Sequence, residues 1–221
     1  AKTQVSVRYE DNTPVAVETV LVSTQHHADV AHNTIAAYVR DALIPEVLGD
    51  WYDPNIQVLV NPTGSFVLGG PSADAGVTGR KIIVDSYGGA GRHGGGAFSG
   101  KDGTKVDRSG AYFARWVARQ VIREGITTKA EVQVAYAIGV AQPVSVRVDT
   151  FGTGDAHVAA DFVRGFDFRP RAIIEQLGLD RPIFRSTTNY GHFGRAGLPW
   201  EIDSEITLHS DELVRAVGVV A

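Results

Sequence analysis

Arg92-His93-Gly94-Gly95-Gly96-Ala97-Phe98-Ser99-Gly100-Lys101-Asp102-Gly103-Thr104-Lys105-Val106-Asp107 is the stretch on which the reading of this chain turns. Consecutive glycines let backbone N–H groups turn inward and approach anionic oxygens with no Cβ in the way, which makes a nest for phosphate. Gly95 to Lys101 even satisfies the G-x-x-x-x-G-K core of a P-loop. The match then fails. Asp102 stands where a magnesium-binding Ser or Thr belongs, and the helical pattern begins only near Ser109. The standard P-loop fold is therefore rejected while a phosphate nest stays open, with a flexible surface loop as the bland alternative.

Working outward, Lys101, Asp102, Lys105 and Asp107 place charges of both signs close together, which suits a polyphosphate with a divalent cation as well as it suits a solvated loop. The lysines are informative. Of 21 basic residues only Lys2, Lys81, Lys101, Lys105 and Lys129 are lysine, and three of these fall around the glycines. A compact ammonium on a flexible stem suits a phosphate oxygen, whereas arginine prefers planar bidentate contacts. His93 could donate to the same anion. Asp74, Arg80 and Lys81 form a second charged group beyond Gly69-Gly70-Pro71, read as a second binding loop or as plain surface. His26, His27 and His32 lack a carboxylate pair at helical spacing and give no metal signature.

The 221 residues carry 43% hydrophobic and 21% charged side chains and a net charge of -4, the profile of a soluble globular protein. Nothing in that balance asks for nucleic acid or an anionic membrane, so any phosphate affinity has to be local. No apolar run spans a bilayer and no signal peptide is legible, so a cytoplasmic location is expected. Cysteine is absent, which removes disulfides and thiolate chemistry together. Methionine is absent too, and with Ala1 at the start this leads us to expect that something upstream is missing.

Alternation predicts strands at Val5 to Tyr9, Val15 to Val22, Ile56 to Val60, Lys81 to Asp85, Val132 to Ile138 and Val144 to Val148. Helical spacing predicts helices over 33–44, capped by Asn33 or Thr34 and stopped near Pro45, and over 109–123, 156–164, 170–177 and 211–217. Tyr190 to Trp200 reads as irregular. This order fits sheet-plus-helix layers of the α+β class, with mostly antiparallel or mixed sheets, better than a doubly wound parallel sheet. A boundary near Gly64 to Gly70 is expected.

The letters themselves resemble a known family. Gly94 to Asp102, GGGAFSGKD, is similar to the polyphosphate-loop signature of the methionine adenosyltransferases, or S-adenosylmethionine synthetases, and residues 91 to 109 nearly match its wider context. The resemblance extends through Ser23-Thr24-Gln25-His26, Asn61-Pro62-Thr63-Gly64, Thr78 to Asp85, Gln133 to Gly139, Phe151-Gly152-Thr153 and Tyr190 to Arg195. It covers nearly the whole chain. It implies the remainder of a central domain over 1–66 and a C-terminal domain over 67–221, with the family's N-terminal domain absent.

The resemblance also implies roles. Lys2, Phe66, Asp74, Arg80, Lys81, Ala97 and Lys101 would bind ATP, Asp74 and Lys105 would bind L-methionine, and Asp107 would hold Mg²⁺ or another divalent cation. Arg80, Lys81 and Lys101 would be catalytic, because the sulfur of methionine attacks C5′ of ATP and these cations steady the departing triphosphate, later hydrolysed to phosphate and pyrophosphate. Family members form homodimers or homotetramers with active sites shared between subunits and use K⁺. Ser65 and Ser72-Ala73 depart from the family's usual residues. A catalytically inactive nucleotide-binding or regulatory partner of the same fold is the competing reading.

Overall fold

A computed structural model describes residues 1–11, 13–75, 79, 81–189 and 191–202. The chain divides into two compact units, Ala1–Gly76 and Val77–Ala221.

In the first unit, β1 (Lys2–Glu10) runs antiparallel to β2 (Thr13–Ser23), and β2 runs parallel to β3 (Gln57–Val60), giving a mixed sheet of order β1-β2-β3. Between β2 and β3 the chain folds as α1 (His32–Tyr38), a π turn (Val39–Leu43) and α2 (Ile44–Leu48). Val17, Val20, Val22, Ile56 and Val60 from the sheet side close on Val39 and Ile44 to form the core. Two expectations fail here. The helix has Ala31 at its N-cap, with no side-chain cap from Asn33 or Thr34. Pro45 does not stop the helix, because the wide turn pairs the Ile44 N–H with the Val39 carbonyl and leaves Pro45 in a fresh first turn, where its missing N–H costs nothing. Gly49, at φ 53°, ends α2 instead.

The second unit is built on α4 (Val106–Arg123), reached after a one-turn helix α3 (Ile82–Asp85). The strand expected at Lys81 to Asp85 is therefore a helix. Among the described residues no strand pairs with it, and its backbone closes on itself through Asp85 N–H to Lys81 carbonyl at 2.8 Å. Tyr112, Phe113, Trp116, Val117 and Val121 line the buried face of α4 at the expected spacing. They pack with the antiparallel pair β4 (Glu131–Ala135) and β5 (Ser145–Asp149), and with α5 (Ala156–Arg164) and α6 (Pro170–Leu177). Asp155 caps α5 by accepting from the His157 and Val158 amides, and Gly178 in the left-handed region ends α6. Both helices keep their expected bounds; the helix expected at 211–217 lies outside the described residues. The segment before Trp200 is irregular as read, and the buried Glu201 carboxylate ties it to α4 through Arg115 at 3.0 Å and Arg119 at 2.9 Å. No helix among the described residues is long and apolar enough to cross a membrane.

Candidate functional site

The glycine loop folds back on the first turn of α4. A Cβ on Gly96 would lie 2.3 Å from the Asp107 carboxyl carbon, so only glycine lets the loop press against that side chain. On the far side, Gly79 at φ 76° abuts the Ala97 Cβ and the Ser99 carbonyl, which brings the chain entering Lys81 against the loop. Helix α4 starts at Val106 rather than Ser109, still five positions beyond Lys101.

The loop's charges are matched in pairs. Lys101 Nζ donates to Asp107 Oδ2 at 2.7 Å, and Lys105 Nζ lies 3.6 Å from Asp102 Oδ2. Asp102 also accepts from the backbone and side chain of Thr104, and these two hydrogen bonds hold its carboxyl below the usual carboxylate range. Arg92 pairs with Glu131 at 2.7 Å. These side chains are exposed or partly exposed, where solvent screens an ion pair, so the pairings can be exchanged. Asp107 sits in the first turn of α4, where the helix dipole favours a carboxylate.

His93 is engaged with the loop's own backbone. Its Nδ1 accepts from the Gly95 amide at 2.8 Å, which puts the ring proton on Nε2, and that atom is buried with no hydrogen-bond partner among the described residues.

A buried network lies behind Lys101. Arg108, 3% exposed, donates from Nη1 to the Lys101 carbonyl at 2.5 Å, from Nε to the Tyr112 hydroxyl at 3.0 Å and from Nη2 to the Thr187 hydroxyl at 2.8 Å. Its guanidinium lies over the Phe184 ring at 3.7 Å. The Tyr112 hydroxyl donates in turn to His192 Nδ1 at 2.5 Å, and His192 Nε2 reaches the Ser99 hydroxyl at 3.3 Å. Burial, followed by the charges of Arg108 and Arg195, pushes the His192 imidazole down to about 4, so it is neutral at pH 7. Its backbone is fixed by the Asp85 carbonyl at one end and by the Trp200 indole N–H at the other. Sequence reading did not single out Arg108 or His192 as parts of a site. The available signal was an arginine and a tyrosine four apart at the start of a helix; the histidine, 80 positions beyond Tyr112, could not be placed.

In the first unit, Phe66 is held at both backbone groups by His26, whose N–H donates to the Phe66 carbonyl and whose Nε2 accepts from the Phe66 amide, each at 3.0 Å. Gln25 reaches the Val67 carbonyl at 2.9 Å through space that a Cβ on Gly69 would fill. His32 is engaged with the Val60 carbonyl at 2.9 Å. Asp74 is exposed and its amide donates to the Gly70 carbonyl, and Lys2 is exposed at the start of β1. Of the expected site residues, Lys2, Phe66 and Asp74 thus belong to the first unit, and Lys81, Ala97, Lys101, Lys105 and Asp107 to the second. Arg80 lies outside the described residues.

Among the described residues no group of three His or acidic side chains could hold a metal alone. A Mg²⁺ ion is commonly held by one or two carboxylates together with substrate phosphates, and the hard oxygen donor Asp107 beside Lys101 fits that pattern.

Residues 1–66 match the family model described as S-adenosylmethionine synthetase, central domain, and residues 68–202 the one described as S-adenosylmethionine synthetase, C-terminal domain. A protein named S-adenosylmethionine synthase from Sorangium cellulosum (strain So ce56) is 54% identical over 220 residues, covering 97% of this chain and 52% of its own length. Proteins of the same name from Clostridium tetani and Clostridium acetobutylicum are 55% and 54% identical over 206 residues, covering 90% of this chain and 53% of theirs. The chain spans about half the length of the curated relatives it matches. With both of its segments matched, the chain belongs to the S-adenosylmethionine synthetase family.

Proposed function

We propose that this chain forms part of an enzyme that makes S-adenosylmethionine from ATP and L-methionine. The observation that supports it most is the Lys101–Asp107 pair beside Gly96, which sets an ammonium and a hard oxygen donor side by side at the glycine loop. On this reading the methionine sulfur forms a bond to C5′ as the C5′–O bond breaks, and the electron pair leaves with the triphosphate. The product is a sulfonium. No protein nucleophile is needed; the residues align the reactants and steady the charge gathering on the leaving group.

Lys101, Lys81 and Arg80 take the triphosphate oxygens, Asp107 helps hold a divalent cation, and that cation neutralises phosphate charge when bound. Lys105 and Asp74 engage methionine, while Lys2, Phe66 and Ala97 line the nucleotide. Triphosphate is then hydrolysed to phosphate and pyrophosphate before release. The active enzyme is a homodimer or homotetramer with sites shared between subunits.

The test is an assay of the full gene product with ATP, L-methionine and Mg²⁺, following S-adenosylmethionine and pyrophosphate. Lys101→Ala is expected to lower kcat by about two to three orders of magnitude, the scale of losing one preorganised charge-stabilising group, with the melting temperature kept. A wild-type protein that forms neither product would overturn the reading and favour an inactive partner of the same fold.

A further inference from the structure

The hydrogen bonds behind the glycine loop close into a ring. Starting from Ser99, the path runs through His192, Tyr112 and Arg108 to the carbonyl of Lys101, only two residues from where it began. Gly100, at φ 86°, forms the bend between the two anchored residues, and the Lys101 amide donates to the Phe98 carbonyl at 3.2 Å within the same turn. One proton arrangement satisfies the chain of bonds. Arg108 can only donate, so the Tyr112 hydroxyl accepts from it and gives its own proton to His192 Nδ1, which leaves the ring proton on Nε2 for Ser99.

Arg108 is an expensive choice for this place. It is buried, and its hydrogen-bond acceptors are a carbonyl and two hydroxyls, with no carboxylate paired to it among the described residues. Burying an unpaired charge costs several kcal/mol, so stability alone gives no reason for a guanidinium here. Its planar fork, stacked on Phe184, does something a hydrophobic residue could not: it grips the backbone of Lys101 from inside the core.

We propose that Arg108, with Tyr112 and His192, is a positioning residue that fixes the Ser99–Gly100–Lys101 turn, and so the origin of the Lys101 side chain, for contact with a polyphosphate. The proposal rests on the reading of Lys101 as a phosphate contact. A displacement of about 1 Å at such a group can reduce a rate on the order of a hundredfold, so a rigid origin matters even though the lysine stem is flexible.

The experiment compares Tyr112→Phe and Ser99→Ala in the full gene product, each made alone and in the Lys101→Ala background. Tyr112→Phe keeps the ring that stacks on Trp200 at 3.7 Å and removes only the bridging hydroxyl; Ser99→Ala changes a half-buried loop residue and leaves the core intact. Each single variant is expected to lower kcat about tenfold, and each is expected to cost less than about twofold more once Lys101 is gone, because a residue acting through Lys101 has nothing left to position. The same factor in both backgrounds, or no loss in either, overturns the proposal. A second readout needs no activity: amide hydrogen exchange at Gly100 and Lys101 is expected to quicken in both variants relative to the parent protein. Unchanged exchange overturns the ring, whereas a parent protein that makes no product while its variants exchange faster overturns the enzymatic reading and keeps the ring.

Discussion

Gly96 makes a sharp residue-scale demand in the glycine loop, because its missing Cβ leaves room for the Asp107 carboxyl. On the proposed reading of Asp107 as a holder of the divalent cation, Gly96→Ala is expected to displace that carboxylate and raise the Mg²⁺ concentration for half-maximal activity by about tenfold to a hundredfold, the usual effect of disturbing the groups that orient a metal ligand. A magnesium titration of the variant checks this. His192 sets a pH dependence of stability. Its folded pKa, about 4, lies below the ordinary 6.5, so between those values the unfolded chain binds a proton that the folded chain refuses. Stability is therefore expected to fall as pH drops from about 6.5 towards about 4, and the difference in melting temperature between pH 7 and pH 5 to shrink in His192→Gln. At this scale the sequence was most legible where one residue does one thing: the glycines mark where the loop has to press close against the first turn of α4. The Arg108 network was illegible because its members meet only after folding, and because Tyr112 on an apolar helix face reads as ordinary core.

Elements that carry their own punctuation were read well. Helices α5 and α6 are bounded by Asp155, Pro170 and Gly178, each acting on its own backbone. Residues 81–85 were misread because alternation is only half of a strand; the other half is a partner, and here the carbonyls of Lys81 and Ile83 take the Asp85 and Gly88 amides instead. The π turn before Pro45 was equally hidden, since a proline signals a break and says nothing of how the preceding turn can widen to absorb it. Helix α4 holds the second core together through Trp116, 1% exposed and packed against Phe113 and Phe166. Trp116→Ala is expected to cost about 3–5 kcal/mol in urea unfolding, the range for emptying a large aromatic site.

At the scale of the whole molecule the two units have different cores, one of valine and isoleucine on a mixed sheet and one of aromatic rings around α4. Ile44→Ala is expected to lower hydrogen-exchange protection in the strands β1 to β3, and Trp116→Ala in β4 and β5; loss of protection in both units from either change would mean that the cores unfold together. The α+β class and the mixed or antiparallel sheets were legible from the order and alternation of segments. The net charge of -4 gives the chain no general appetite for anions. The paired lysines of the glycine loop carry this further. With Lys101 answered by Asp107 and Lys105 by Asp102, the resting loop behaves as an ion exchanger already loaded with its own counter-ions. On the proposed reading, a bare phosphate at Lys101 would strand the Asp107 carboxylate beside fresh negative charge, whereas a polyphosphate that brings its own cation would satisfy both members of that pair at once. On the proposed reading, the loop would discriminate between an anion and an anion–metal complex before any reaction begins.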